Sequence, residues 1–189
     1  MGQAPPKALF VTPVLPSPTG MGLAMRAGSQ LMGLRRICDV TTLLVPLIAT
    51  AETEADFAAH YRGVPLVRLP LAGQADPFFR IIASLGDPAE RLSLFARYGK
   101  PSLAAAVSAE VARQVAEQVA HAGATHVHVF RSYLLPALDQ LPAGVARSID
   151  LDEDDVASFL SSATVLAARR ETMAAEWARL EAQGFARLM

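Results

Sequence analysis

The stretch that decides the fold is Ala8-Leu-Phe-Val-Thr-Pro-Val-Leu-Pro-Ser-Pro-Thr-Gly-Met-Gly22. Its first five residues form a short, uninterrupted apolar run that ends at Pro13, which is typical of a strand buried on both faces. A loop rich in proline and glycine follows over residues 13–22. A helical pattern then runs from about Leu23 to Ile37, with apolar residues on one face. The stretch therefore predicts a strand, a loop and a helix in succession.

The rest of the chain continues this alternation of strands and helices. Apolar or β-branched runs bounded by proline or glycine predict four further strands, over 39–45, 64–69, 126–130 and 145–149. Apolar residues at helical spacing predict helices over 52–61, 77–98 (two short ones), 101–121 and 133–141. The alternation predicts an α/β protein, with a Rossmann-like, open and mostly parallel β-sheet that carries helices on both faces.

The last part of the chain, from Asp154, is predicted to be helical almost to its end, with a bend near Thr164. We therefore expect residues 1–170 to form one Rossmann-like domain and residues 171–189 a C-terminal helix that leads toward a second domain. That helix stops on apolar residues without a cap, which is the pattern expected of a piece of a longer protein. Its apolar stripe is expected to lack support, so we predict that it frays or forms a homodimer with a second copy.

Composition excludes several classes of partner and compartment. A net charge of −1 and an aromatic content of 6% argue against a nucleic-acid binder, which needs clustered basic residues and stacking platforms. The single cysteine, Cys38, excludes an intramolecular disulfide and a cysteine-based zinc site. No signal peptide or membrane-spanning run is visible. These features predict a cytoplasmic chain and leave open a peripheral contact with the inner face of a membrane.

The loop over 13–22 is the first candidate site. Ligands of doubly wound folds collect at the carboxyl ends of the strands, and Gly20 and Gly22 would let backbone N–H groups approach a phosphate at the start of the helix. The stretch lacks the third glycine of the dinucleotide fingerprint and the lysine of a P-loop. A flexible turn with Thr19 near the helix N-cap is the alternative.

The second candidate is His126-Val-His-Val-Phe-Arg-Ser-Tyr133. Alternation along a strand places His126, His128 and Phe130 on one face. His128 lies near the carboxyl end of the strand, where it would act as a general base or bind a hydroxyl, and Arg131 just beyond it would bind an anion. The alternative is that His126 caps the start of the strand and His128 forms a hydrogen bond inside the sheet.

The third candidate is the acidic run Asp150-Leu-Asp-Glu-Asp-Asp155, which contains five of the 18 acidic residues. Taken alone, it suggests a divalent-cation site built from carboxylate oxygens. The alternative, which we favour, is that Asp154 or Asp155 caps the following helix. In either case, so many like charges predict an arginine or cation as a partner.

Five pieces of the chain, in order, resemble the family 4 glycosyltransferases of the GT-B fold, in particular the exopolysaccharide subgroup. These pieces are the opening strand and glycine loop, the second strand, the helix that follows Pro101-Ser102-Leu103, the fourth strand with its loop, and the Asp-rich turn, over 7–22, 39–44, 101–121, 126–136 and 148–158. Arg26 also stands where many members have an arginine.

The resemblance implies that this chain is the N-terminal, acceptor-side domain of a two-domain glycosyltransferase. Such an enzyme would move a sugar from a nucleotide-diphosphate donor to a saccharide or lipid-linked acceptor, with no metal or further cofactor. A C-terminal domain of the same parent chain would bind the donor, so the present chain alone is expected to be inactive. Two alternatives remain: a non-catalytic Rossmann-like module that binds an anion or nucleotide, and a metal-dependent enzyme built on residues 150–155.

The resemblance also implies roles for individual residues. Those expected at the donor phosphates are Gly20, Met21, Gly22 and Arg26. His128 is the implied catalytic residue. Those expected to contact the acceptor or the sugar are Arg131, Ser132, Tyr133 and Asp152. The loops over 13–22, 131–133 and 152–155 are then expected to lie together on one open rim of the sheet.

Overall fold

The computed structural model of the chain describes residues 4–70, 77–151 and 153–189. Its centre is a five-stranded sheet in the order β3-β2-β1-β4-β5, in which every pairing is parallel. The strands are β1 (Lys7–Thr12), β2 (Asp39–Leu44), β3 (Leu66–Arg68), β4 (His126–Phe130) and β5 (Ala146–Asp150). The predicted α/β class and open parallel sheet are confirmed, and each predicted strand is present within about two residues of its expected bounds.

The described residues also form seven α-helices and two short 3₁₀ segments. The helices are α1 (Gly22–Leu34), α2 (Glu54–His60), α3 (Pro77–Ser84), α4 (Pro88–Tyr98), α5 (Ala109–Ala122), α6 (Asp155–Ala168) and α7 (Thr172–Leu188), and the 3₁₀ segments are Ala104–Ala106 and Ser132–Leu138. One core lies between the sheet and helices α1 and α2, around Phe10 and Phe57. The other lies on the opposite face, around Val115 and Phe185. Helices on both faces are therefore confirmed.

The strand order reverses between β1 and β4. Val11 of β1 lies opposite Leu43 of β2 on one side and Val129 of β4 on the other. The chain moves from β1 outward to β3 and then crosses back to place β4 on the free side of β1. In open α/β sheets, a crevice forms outside the carboxyl ends of two such strands. The loops that follow β1 and β4 therefore meet at one edge of the sheet.

The long helix predicted from Pro101 begins later than expected. The Ser108 side chain accepts a hydrogen bond from the Val111 N–H and caps α5, which then ends at Gly123 with φ 62°. Only a 3₁₀ turn forms before that cap, and Leu103 is exposed rather than facing the sheet. The prediction of a helix over 101–108 is therefore wrong, because the local serine cap determines where the helix starts.

The C-terminal segment forms two helices that pack along each other. The helical conformation is interrupted at 169–171, where Arg170 has φ 63°, and not near Thr164 as predicted. The ring of Phe185 stacks on Phe159 of α6, with centroids 5.4 Å apart. The ring of Trp177 stacks on Phe95 of α4 at 4.2 Å. The expectation that α7 lacks support is therefore wrong, and the stripe predicted to form a homodimer is in contact with its own chain.

A buried carboxylate anchors α7 to the segment that precedes α5. Glu181 is 3% exposed and accepts hydrogen bonds from the Ser102 N–H at 2.9 Å, from the Ser102 hydroxyl and from Trp177 Nε1 at 3.2 Å. Pro101 packs against Gly184, where a Cβ would lie 3.0 Å from the proline ring.

Within the described residues, none of the helices combines the length and the apolar character needed to cross a bilayer.

Two glycines of α1 provide a test of this packing. A Cβ on Gly28 would lie 2.5 Å from the Ser17 carbonyl oxygen and closer still to the Tyr61 hydroxyl, whereas a Cβ on Gly33 would meet nothing within 4 Å. We expect Gly28→Ala to destabilise the chain by about 1–3 kcal/mol through overpacking. Gly33→Ala should stabilise it by up to about 1 kcal/mol through helix propensity. Urea unfolding measures both, and equal stability of the two variants would contradict the close approach at Gly28.

Candidate functional site

The glycine loop after β1 presents backbone groups at the carboxyl edge of the sheet. Its first half, Val14 to Ser17, is buried, whereas Gly20, Met21 and Gly22 are exposed. Gly20 has φ 87°, a conformation that favours glycine. Met21 occupies the N-cap position of α1, where no side chain forms a cap hydrogen bond, and the first turn contains no acidic residue. The alternative of a Thr19 cap is therefore not observed, and the first turn of α1 is suited to an anion.

The surroundings of this loop include one acidic and one basic side chain. A Cβ on Gly20 would collide with Oε1 of Glu52, so this half-buried carboxylate lies directly beside the turn. Arg26 lies one helical turn further along α1, on its exposed side. An incoming phosphate would meet attraction from the uncapped first turn and repulsion from Glu52.

Arg131 follows β4 at the same edge and is held in a strained conformation. Its φ of 84° with ψ of 138° is uncommon for a residue with a side chain, and its N–H donates to the Asp150 carbonyl oxygen at 2.9 Å. Arg131 Nη2 donates to Asp155 Oδ1 at 2.8 Å, and Nη1 donates to Glu153 Oε2 at 3.1 Å. The guanidinium also lies 5.5 Å from the centre of the Tyr133 ring. Strain of this kind is common at functional sites.

The sequence-predicted residues Arg131, Ser132 and Tyr133 are brought together, but they are buried. Their exposures are 7%, 1% and 1%. The Ser132 hydroxyl donates to Oδ2 of Asp155, so both residues share this carboxylate. The expectation that 131–133 lie on an open rim is therefore wrong for these side chains. Their contacts fix the loop after β4 against the start of α6.

The acidic run provides a helix cap and an ion pair. The Asp154 side chain accepts a hydrogen bond from the Ala157 N–H at 3.0 Å and caps α6, as predicted. Asp155 is the partner of Arg131, which confirms the expected arginine. Burial by itself lowers the pKa of Arg131, but Asp155, together with Tyr133 and Glu153, holds that pKa above its ordinary value. Asp152 lies outside the described residues.

A metal site was the alternative interpretation of the acidic run. Within 4–70, 77–151 and 153–189, no three His, Cys, Asp or Glu side chains are arranged to share a metal ion.

His128 lies on the α1 side of β4, where its ring stacks on Phe10 with centroids 5.8 Å apart. Its Nδ1 is 2.7 Å from the Ser148 hydroxyl oxygen, so the predicted hydrogen bond inside the sheet is observed. Its Nε2 is buried and has no hydrogen-bond partner among the described residues. Burial lowers the pKa of His128, with a further lowering from His126 and an opposing effect of Asp150. In this arrangement, neither ring nitrogen is presented to the open crevice.

Sequence reasoning missed the residues on β5 and α1 that complete this region. Ser148 also lies 2.7 Å from Nε2 of His126, and Gln30 Nε2 donates to Asp150 Oδ2 at 2.6 Å. The sequence contained a signal for the β5 residues. Side chains alternate along a strand, so Ser148 and Asp150 are two polar residues on one face of β5. Glu52 had no comparable signal, since its position beside Gly20 depends on the path of the loop between β2 and α2.

Comparisons with known proteins add no relative: no family model, curated protein or solved structure matches this chain. The fold and the geometry of these residues therefore carry the functional argument.

The ion pair of Arg131 can be tested by comparing two neighbouring aspartates. Asp155→Ala would leave a buried guanidinium without its buried partner, and we expect a loss of about 3–5 kcal/mol in the free energy of unfolding. Asp154→Ala removes only a helix cap and should cost about 1 kcal/mol. Chemical denaturation of both variants gives the comparison. A loss at Asp155 no larger than that at Asp154 would show that the ion pair is dispensable.

The lowered pKa of His128 predicts how stability depends on pH. The unfolded chain, with an ordinary pKa of 6.5, binds a proton more readily than the folded chain, so this contribution is fully present above pH 6.5. It is lost as the pH falls through 6.5 toward the lower pKa of the folded state. We expect wild type to lose more stability between about pH 7.5 and about pH 5.5 than His128→Phe. His121→Gln, at an exposed position of α5, is the control and should behave as wild type.

Proposed function

We propose that this chain is the N-terminal, acceptor-side domain of a glycosyltransferase of the GT-B type. It would take part in the transfer of a sugar from a nucleotide-diphosphate donor to a saccharide or lipid-linked acceptor. The observation that carries the proposal is the uncapped, glycine-lined first turn of α1 at the carboxyl end of β1, beside β4, where the strand order reverses. This is the position at which open α/β sheets bind ligands with phosphate groups.

In the proposed reaction, the chain stabilises the charge that develops on the leaving diphosphate. The N–H groups over Gly20, Met21 and Gly22 would donate to phosphate oxygens, and the positive end of the α1 dipole would add to this. Arg26 is close enough along the helix to contribute a charged donor. These groups are held by the fold and do not need to be reorganised during the reaction.

The acceptor side is proposed to lie along the end of β4. His128 would accept the proton of the attacking hydroxyl once the packing over its buried Nε2 opens to the crevice. Arg131 and Ser132 are proposed to shape the wall of the crevice through Asp155, rather than to bind the sugar through their own donors, since these donors are engaged with carboxylates. A donor-binding domain of the same parent protein would close the crevice. A lipid-linked acceptor would bring this face to the inner surface of a membrane.

Two further functions were open from the sequence. A non-catalytic module that binds an anion or nucleotide would use the same glycine turn, so it stays an alternative. The metal-dependent enzyme has less support, because Asp154 caps α6 and Asp155 pairs with Arg131. The coding sequence beyond residue 189 would separate the first two. A further domain-sized stretch with a Glu-x7-Glu motif would favour the glycosyltransferase.

Binding of diphosphate tests the glycine turn directly. We expect pyrophosphate and nucleoside diphosphates to shift the backbone amide signals of 20–23 in a saturable way by NMR. Gly22→Ala should weaken binding by about tenfold or more, because its Cβ occupies the open approach to the turn and displaces a charge-assisted hydrogen bond. Glu52→Gln should strengthen binding by about fivefold, since it removes a like charge beside the turn.

Gly33→Ala is the matched control, since it makes the same change near the other end of α1 and should leave binding unchanged. Identical affinities of wild type, Gly22→Ala and Glu52→Gln would refute the phosphate site. Incubation of the chain with nucleotide-diphosphate sugars and acceptors should give no transfer, because half of the proposed active site is absent. Turnover by the chain alone would contradict the proposed role as an acceptor-side domain.

A further inference from the structure

The Ser148 hydroxyl, on the outermost strand β5, lies between two imidazole rings of the neighbouring strand β4. Its oxygen is 2.7 Å from Nε2 of His126 and 2.7 Å from Nδ1 of His128. The register of β4 and β5 sets this arrangement, because His128 pairs with Ser148 and both histidines project from the same face of β4. The three groups form a chain of hydrogen bonds from a buried ring to a half-buried one.

The number of protons in this chain is limited. The serine hydroxyl has one proton, so it can donate to only one of the two rings. The other ring must then donate its own N–H to the serine oxygen. With both rings neutral, only two arrangements satisfy both short contacts, and they differ by a shift of protons along the chain.

Burial selects between these two arrangements. If Ser148 donated to His128 Nδ1, the proton of that neutral ring would sit on Nε2, as a buried N–H without a partner among the described residues. An orphaned buried N–H is rarer and more costly than an acceptor with an unused lone pair. His128 therefore carries its proton on Nδ1 and donates to Ser148, which donates to His126 Nε2. His128 Nε2 is left as a bare acceptor.

We propose that Ser148 and His126 form a proton relay that connects the buried His128 to the surface. When a proton joins His128 Nε2, the Nδ1 proton moves to the Ser148 oxygen, and the Ser148 proton moves to His126 Nε2. The positive charge then resides on His126, which releases its Nδ1 proton to water. Every group in the chain keeps its valence, and no oxidant or metal takes part. The relay lets a proton that joins the buried ring leave the protein from the half-buried one.

The surrounding charges favour this direction of transfer. His128 is 9% exposed, whereas His126 is half-buried, so a cation is better solvated at His126. The charged group that acts on His128 from β5 is Asp150, which Gln30 of α1 holds in place. From β1, the neutral ring of Phe10 packs on His128. Asp150 stabilises the transient charge on His128, and burial drives it onward.

Use of the relay in catalysis rests on the proposed function, whereas the relay itself does not. There, once Nε2 of His128 is uncovered, an acceptor hydroxyl would lose its proton to it as the acceptor oxygen bonds to the sugar carbon and the bond from that carbon to the diphosphate oxygen breaks. Ser148 and His126 would then be positioning and relay residues, which touch no substrate. Failure of diphosphate binding at the glycine turn would remove the proposed function and leave the proton relay unaffected.

NMR spectroscopy of the chain with isotope-labelled histidine tests the relay. We expect His128 to be the Nδ1–H tautomer at neutral pH, with Nε2 unprotonated, and His126 also to be the Nδ1–H tautomer. Titration should show coupled behaviour, in which protonation of the pair shifts the signals of both rings. Ser148→Ala should abolish this coupling and the preference for a single tautomer of His128. Ser148→Thr, which keeps the hydroxyl, should restore both.

Ser29→Ala is the control, because this exposed hydroxyl donates only to the Met25 carbonyl oxygen of its own helix at 3.1 Å. It should leave both histidines unchanged. An Nε2–H tautomer of His128 in wild type would overturn the proposal without any variant. Independent titration of the two rings in wild type, or unchanged coupling in Ser148→Ala, would do the same.

Discussion

The backbone of β1 is the constraint on which the rest of this structure depends. Five of its six residues are buried, so its N–H and C=O groups have to be paired within the protein. They are paired by β2 on one side and by β4 on the other. A central strand of this kind forces the chain to cross over the sheet after β3, and this crossover creates the crevice at the carboxyl edge. The glycine loop and the Arg131 loop meet there because both follow strands that satisfy the same backbone.

Two buried carboxylates then fix helices α6 and α7 to the rest of the protein. Asp155, at the start of α6, accepts hydrogen bonds from Arg131 and Ser132. Glu181, in α7, accepts hydrogen bonds from Ser102 and Trp177. A buried carboxylate without donors is strongly unfavourable, so neither helix can shift without a large loss. This explains why acidic residues cluster after β5 without forming a metal site from Asp154 and Asp155. They hold the strained backbone of Arg131 in place.

The sequence was sufficient to predict the elements that depend on local pattern. β1 contains a continuous apolar run, β4 alternates histidine with valine, and α5 ends at Gly123, so their positions follow from neighbours within a few residues. The failures have a different origin. The sequence does not show that α7 is covered by Phe95 and Phe159, because these rings come from distant parts of the chain. The helix expected over 101–108 does not form, because the nearby Ser108 caps α5 and Ser102 contacts the distant Glu181.

The same distinction applies to the candidate site. The glycine loop and Arg131 could be found from their position after predicted strands, and His128 from its position near the end of one. The residues that decide what those groups can do, Ser148 and Glu52, are brought in by strand register and by the path of the loop between β2 and α2. Their roles could therefore not be predicted from spacing along the chain alone.

Helix α1 links the two sites proposed above. Its first turn lines the glycine loop, and Gln30, eight residues after Gly22 and about 12 Å along the axis, donates to Asp150. Gly28 holds the helix in place between these points, through its close approach to Ser17 and Tyr61. The glycine turn and the Asp150 charge that acts on His128 therefore share one rigid support. The proposed transfer reaction would use such a support, because it needs a fixed separation between the leaving diphosphate and the base that accepts the proton.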